Sequence, residues 1–429
     1  MSSDRVTAFS SPAGAPPLRP GFREFVALMA ALMASNAMAI DSMLPALPAI
    51  GAALGVGEEN RRQLVITVYL LGFGAAQIGY GPLSDRFGRK GLLVAGLGLY
   101  AAFATLAGLA ASFTLLLAAR AMQGVAAAAS RVLVVSIVRD RYRGPAMARV
   151  MSLTMIVFMI VPILAPFFGQ AVLAVASWRH IFIGLGAYGT LLAFWVLARL
   201  PETLAPENRR PLSLGAIGEA ARLTLSTRQS IGNALVQTLA MGALFSFINS
   251  VQQVVAEVLH RPALLPVVFA CVAGPMAASS YANSKLVMRL GSRRLLLRAL
   301  VAFTAAAALH LAVAAAWGET LWTFVPLQAA TMACFGLIGA NAGALAMEPL
   351  GHVAGTASSL QGVLTTIGGA LIGYAVGQRF DGTTLPLLIG FTACGALGLA
   401  VALWANRDPC RDTHDEAEID VQETAARPA

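Results

Sequence analysis

The sequence predicts an all-α protein that crosses a membrane twelve times, folded as two six-helix halves. Three observations carry this reading. Apolar segments of spanning length recur along nearly the whole chain, the basic residues concentrate in alternate connections between them, and one long polar connection separates six segments from six. Of the 429 residues 57% are hydrophobic and only 12% charged, with a mean hydropathy of +0.72. A soluble domain carries about a quarter charged residues. This much apolar surface exceeds what a water-surrounded core absorbs and calls for lipid.

Residues 1–21 are polar and Pro-rich and read as a cytoplasmic tail. They lack the basic-then-apolar order and small-residue cleavage site of a signal peptide, so the first apolar segment is expected to act as its own insertion signal. Six segments lie near 24–50, 61–83, 91–111, 113–138, 146–175 and 178–200, forming a first half over 22–200. Six more, near 229–258, 263–288, 293–316, 319–347, 352–378 and 384–406, form a second half over 229–406. Each holds the ~20 residues that cross ~30 Å of hydrocarbon, and the longer ones imply tilt. In the cytoplasmic linker 201–228, Ser213–Leu225 has apolar residues at helical spacing among basic ones, which predicts a surface helix. Residues 407–429 (Asp412, Asp415, Glu416, Glu418, Asp420, Glu423) form an acidic tail too polar to pack.

Basic residues fix the expected orientation. One alternate set of connections, with both tails, holds roughly 23 Lys and Arg against 5 in the other set. The positive-inside rule then places both termini in the cytoplasm, which an even span count permits. The same distribution argues against nucleic acid as a partner despite the net charge of +9, because the bases sit in short connections rather than on one face. Cys271, Cys334 and Cys394 lie in apolar segments and Cys410 in the tail, with no CxxC or Cys/His cluster, so no disulfide, metal or other cofactor is expected. No HExxH, G-x-S-x-G, nucleotide-binding G-x-x-x-x-G-K-[ST] or selectivity-filter repeat is present, which argues against an enzyme or a channel.

The most informative stretch is Gly81-Pro82-Leu83-Ser84-Asp85-Arg86-Phe87-Gly88-Arg89-Lys90, a charged turn between two apolar runs. Lipid cannot solvate it, so it sits at a membrane surface. It resembles the G-x-L-[ST/A]-D-R-x-G-R-[K/R] signature between spans 2 and 3 of major facilitator superfamily transporters. Arg120-Ala121-Met122-Gln123-Gly124 resembles that superfamily's R-x-x-Q-G motif. With Asp41-Ser42-Met43-Leu44-Pro45-Ala46-Leu47-Pro48, Pro162–Gly169, Trp178–Phe182, Pro201–Leu204 and Gly355–Gly362, the set is similar to the Bcr/CflA branch of drug:proton antiporters. The resemblance implies a monomeric, proton-coupled exporter of small amphipathic molecules in the inner (plasma) membrane, working by alternating access. A same-fold uptake carrier or metabolite exporter is the alternative. It also implies a conformational latch at Gly81, Asp85, Arg86, Gly88 and Arg89, with Asp140 as a candidate ionic partner and Pro166 in a second gating element. Two departures stand out: Gln170 replaces the last glycine of the fifth-span pattern, and Asn283–Arg294 is a degenerate second copy of the charged loop without its acid.

Asp41 is the leading candidate for proton coupling. A carboxylate in an apolar span costs about 2.5–3.5 kcal/mol on insertion scales and so faces a cavity or a partner, where it can load and release protons. Arg120 is the second. Both lie roughly 10–14 Å below the same surface by helix rise, so Arg120 either pairs with Asp41 or hydrogen-bonds backbone carbonyls. Gln123 lies one turn on, and Arg131 shares the Arg120 face three turns on. Asn36, Asn249 and Gln253 are candidate polar residues of a cavity wall, and Phe158, Phe245 and Phe247 candidate apolar ones. Gln77, Gln252, Gln328, Asn341 and Gln361 read as interhelical hydrogen-bonding groups, and His310 as a packing residue. Glu348 and His352 read as interfacial.

Overall fold

A computed structural model describes residues 20–209 and 214–407. Arg5, Arg19, Arg210, Ser213, Cys410 and the acidic-tail residues lie outside them, as do the side chains of Phe158 and His352. The helices are α1 (Phe22–Asp41), α2 (Leu47–Ala53), α3 (Leu64–Phe87), α4 (Arg89–Gly108), α5 (Phe113–Arg141), α6 (Gly144–Val175), α7 (Arg179–Arg199), α8 (Leu214–Ser226), α9 (Arg228–Gln253), α10 (Leu265–Leu290), α11 (Ser292–Trp317), α12 (Leu321–Met347), α13 (Ala354–Gly377) and α14 (Leu385–Ala405). Among the described residues, twelve segments are long and apolar enough to cross a membrane. The first of them combines α1 and α2, joined by a 3₁₀ turn at Leu44–Ala46. Pro45 and Pro48 supply no N–H there, so the helix restarts instead of continuing.

The charged motif departs from expectation. It is not a loop: α3 continues through Phe87, and Gly88 alone breaks the chain before α4 starts at Arg89. Gly88 has φ +96° and ψ 162°, a region essentially closed to residues with a Cβ. The Glu202 carboxylate accepts hydrogen bonds from the backbone N–H of Arg89 (2.9 Å) and Lys90 (3.2 Å). An acid at a helix N-terminus satisfies orphan donors and complements the helix dipole, which explains a break of one residue.

α3 packs on α5, α4 on α5 and α7, and α1 on α6. Further along the chain α9 packs on α13 and α14, α10 on α12, and α11 on α12 and α14. Two helix pairs join these groups, α3 with α13 and α6 with α10. Residues 22 and 405 lie at the same end of the bundle, called here the terminal face. Glu24 accepts two hydrogen bonds from Arg199 there, both 2.7 Å, tying the start of α1 to the end of α7.

Candidate functional site

A cavity of about 420 Å³ lies between the two helix groups. Its wall is mostly apolar, with Met33 and Phe73 on one side and Met241, Phe245, Phe269, Met276, Met332 and Phe335 on the other. Its amides are largely hydrogen-bonded to other side chains. Gln361 Nε2 donates to Gln237 Oε1 (2.7 Å), Gln77 Nε2 to Thr366 Oγ1 (3.1 Å), and Tyr69 Oη to Asn36 Oδ1 (2.8 Å).

Of the residues expected here, Asp41, Asn36, Phe245 and Phe247 line the cavity. Asp41 is 4% exposed, and its Oδ1 has no hydrogen-bond partner among the described residues. Arg120 and Gln123 do not line it; both are fully buried behind its wall. Arg120 donates to Gln123 Oε1 (2.6 Å), the Ala39 carbonyl (3.0 Å) and the Val65 carbonyl (3.2 Å), with its guanidinium 4.3 Å from the Tyr69 ring centroid. The direct Asp41–Arg120 pair is therefore absent, and the carbonyl alternative holds. The reason is local. α1 stops at Asp41, so the carbonyls of its last turn lack helical partners, and Ala39 offers one at the depth the helix arithmetic required.

Asn249 and Gln253 also miss the cavity. Asn249 is 1% exposed and packs against Gly377 of α13, its amide unpartnered among the described residues. Gln253 belongs to a cluster at the face opposite the termini. It accepts from Gln63 Nε2 (2.6 Å) and donates to Asn60 Oδ1 (2.7 Å). Asn60 Nδ2 donates to the carbonyls of Gln378 (3.2 Å) and Phe380 (3.0 Å), and Gln378 Nε2 to the Asn60 carbonyl (2.6 Å). Gln170 Nε2 reaches the Ala263 carbonyl at 3.3 Å, so the departure from glycine adds a bond between the groups. Its neighbour Gly169 keeps the close approach, since a Cβ there would overlap the Ser42 carbonyl oxygen. Asn60, Gln63 and Gln378 are not legible in the sequence, because uncharged amides in or near short connections carry no periodic signal.

At the terminal face, Arg89 is held on three sides. It bonds Asp85 Oδ1 (2.6 Å), Asp140 Oδ2 (3.1 Å) and the Ser84 hydroxyl, and Thr203 Oγ1 donates to the same Asp140 oxygen (3.2 Å). Arg86 stays outside this cluster, its guanidinium 5.2 Å from the Phe87 ring centroid. Gly81 faces the Ser359 hydroxyl of α13, and Pro166 is buried on α6. His310 has a partner the sequence did not reveal. Its Nε2 lies 3.2 Å from Glu319 Oε2, and Glu319 also accepts from Thr323 (2.6 Å) and Thr384 (3.1 Å).

The family model described as Major Facilitator Superfamily matches residues 28–373. The chain belongs to the major facilitator superfamily. Among relatives in that superfamily, the MFS-type transporter YdgK of Bacillus subtilis (strain 168) is 31% identical over 81% of this chain and 87% of its own length. A bicyclomycin resistance protein homolog of Haemophilus influenzae is 29% identical over 83% of this chain and 89% of its own. The multidrug resistance protein MdtL of Escherichia fergusonii is 27% identical over 88% and 94%. The crystal structure of the human organic anion transporter MFSD10 (TETRAN) superposes with a TM-score of 0.65 over 90% of this chain and all of its own, at 18% identity, which speaks to the fold alone. The protein is a multi-pass membrane transporter of the major facilitator superfamily, as the charged motif and the Asp41–Pro48 run implied.

Proposed function

We propose that this transporter exports small amphipathic molecules, multidrug or antibiotic substrates among them, in exchange for protons by alternating access. It acts as a monomer in the inner membrane with both termini cytoplasmic and no nucleic-acid partner. Its halves, 22–200 and 229–406, rock about the cavity with 201–228 as the link. The observation that carries the reading is Asp41: a carboxyl group in the wall of a largely apolar cavity, one oxygen unpartnered among the described residues. No cation beside it holds it charged, so it is free to exchange protons with whichever side the cavity faces. The amide cluster of Asn60, Gln63, Gln253 and Gln378 supports an arrangement closed at the face opposite the termini. The Arg89–Asp85–Asp140 cluster would be reset when the terminal face closes in turn.

The test is a toxicity panel in a bacterial host stripped of its major exporters, expressing wild type or Asp41→Asn at matched membrane levels. Wild type should raise tolerance to some compounds and the variant should not. Equal protection by both would remove Asp41 from coupling; no protection by either would favour a metabolite carrier.

A further inference from the structure

The cavity holds one charged group that the proposed mechanism leaves idle. Among the described basic residues, only Arg120 and Arg131 lie more than about two turns inside a span, both on α5. Arg120 is engaged by two carbonyls and an amide. Arg131 lines the cavity with an exposed side chain and has no hydrogen-bond or ionic partner among the described residues. It is ten residues from Arg141 at the end of α5, about 15 Å by helix rise, so its side chain cannot reach the terminal face to shed its charge in bulk water. A guanidinium at such depth is expensive unless something in the cavity answers it.

Nothing in the wall does among the described residues. Asp41 is the one acid lining the cavity among the described residues, and it sits at the far end. Arg120, bonded two residues before Asp41, is about 16 Å from Arg131 along α5. The wall amides of Gln77, Gln237 and Gln361 are engaged with other side chains. What remains is a planar fork of N–H donors at one end of an apolar chamber, a geometry that matches a carboxylate or related oxyanion two bonds at a time.

We infer that Arg131 is the substrate-recognition residue of this cavity and that its preferred substrates are amphipathic organic anions. The anionic head seats on Arg131, and the apolar body lies among Phe73, Met241, Phe245 and Phe335. A cation of the same shape meets the uncompensated charge and is rejected. This rests on reading the cavity as the substrate site, and names the class that site selects.

The experiment uses the purified full-length protein in detergent and two probes with one fluorophore, dansylglycine (anionic) and dansylcadaverine (cationic). Binding is read from the rise and blue shift of dansyl emission. Wild type should bind dansylglycine about tenfold or more tightly than dansylcadaverine. Arg131→Gln should lose that preference, while Arg131→Lys should keep most of it, with melting temperatures confirming that each variant is folded. Equal binding of the two probes by wild type, preference for the cation, no binding of either, or a preference unchanged in Arg131→Gln would overturn the inference. Binding needs neither a proton gradient nor turnover. A protein that passes this test but moves no protons would sink the export reading alone, and one that exports cations against protons while ignoring dansylglycine would sink this inference alone.

Discussion

Replacing Gln253 with leucine should open the cavity from the face opposite the termini. Gln253 is 3% exposed and joins the helix groups through two bonds, from Gln63 at 2.6 Å and to Asn60 at 2.7 Å. Gln63 keeps the Gly377 carbonyl at 3.1 Å, so the residual penalty falls on Asn60 Oδ1, which loses its partner. A buried neutral hydrogen bond nets about 0.5–1.5 kcal/mol, so losing two costs about 1–3 kcal/mol. If that cost falls on the closed arrangement alone, the open population rises about fivefold to 150-fold. The assay places Ala273→Cys in the cavity wall, with Cys271, Cys334, Cys394 and Cys410 changed to serine. Labelling by a membrane-impermeant maleimide is followed from the side opposite the termini. The Gln253→Leu background should label faster by that factor. An unchanged rate in a variant that melts normally would show that the amide cluster does not hold the closure, and the reasoning would fail.

Arg120→Leu should lower the melting temperature of the purified protein by an amount equivalent to about 3 kcal/mol or more, because it strands the Ala39 and Val65 carbonyls and Gln123 Oε1 in a fully buried site. A variant that melts like wild type but loses proton coupling would instead give Arg120 a direct part in the chemistry. Burial by itself would push the Glu319 carboxyl up, but hydrogen bonds from His310, Thr323 and Thr384 outweigh it and hold it below the usual carboxylate range. A depressed folded value means a stabilising contribution that is complete above the unfolded pKa, near ~4.3, and lost as pH falls through the folded value. Melting temperature followed from neutral pH down to acid should therefore drop below about pH 4.5, and Glu319→Gln should flatten that drop. Identical acid slopes for the two proteins would contradict it.

The relation between sequence and structure is clearest at α5. Arg120, Gln123 and Arg131 were visible as polar residues on one helix, and their depth followed from helix rise. Which neighbour each one meets was not. Arg120 binds a carbonyl because α1 ends two residues later, and that ending became visible only with the 3₁₀ turn after Asp41. Asn249 and Gln253 share a face by the i, i+4 rule, as expected, but the rotation of α9 turns that face towards Gly377, Gln63 and Asn60 and away from the cavity. The charged motif was legible as chemistry and misread as backbone, because a helix can run to the last residue before a single strained glycine.

Span number, fold class and family were determined by the sequence alone. They depend on local quantities: apolar length against hydrocarbon thickness, and residue order within short motifs. The partners of Arg89, the amide cluster at the face opposite the termini, the His310–Glu319 pair and the solitude of Arg131 were decided only by the tertiary structure. Each depends on how helices far apart in sequence are rotated about their axes. At about 100° of turn per residue, one position's difference in rotation exchanges a wall residue for a buried one.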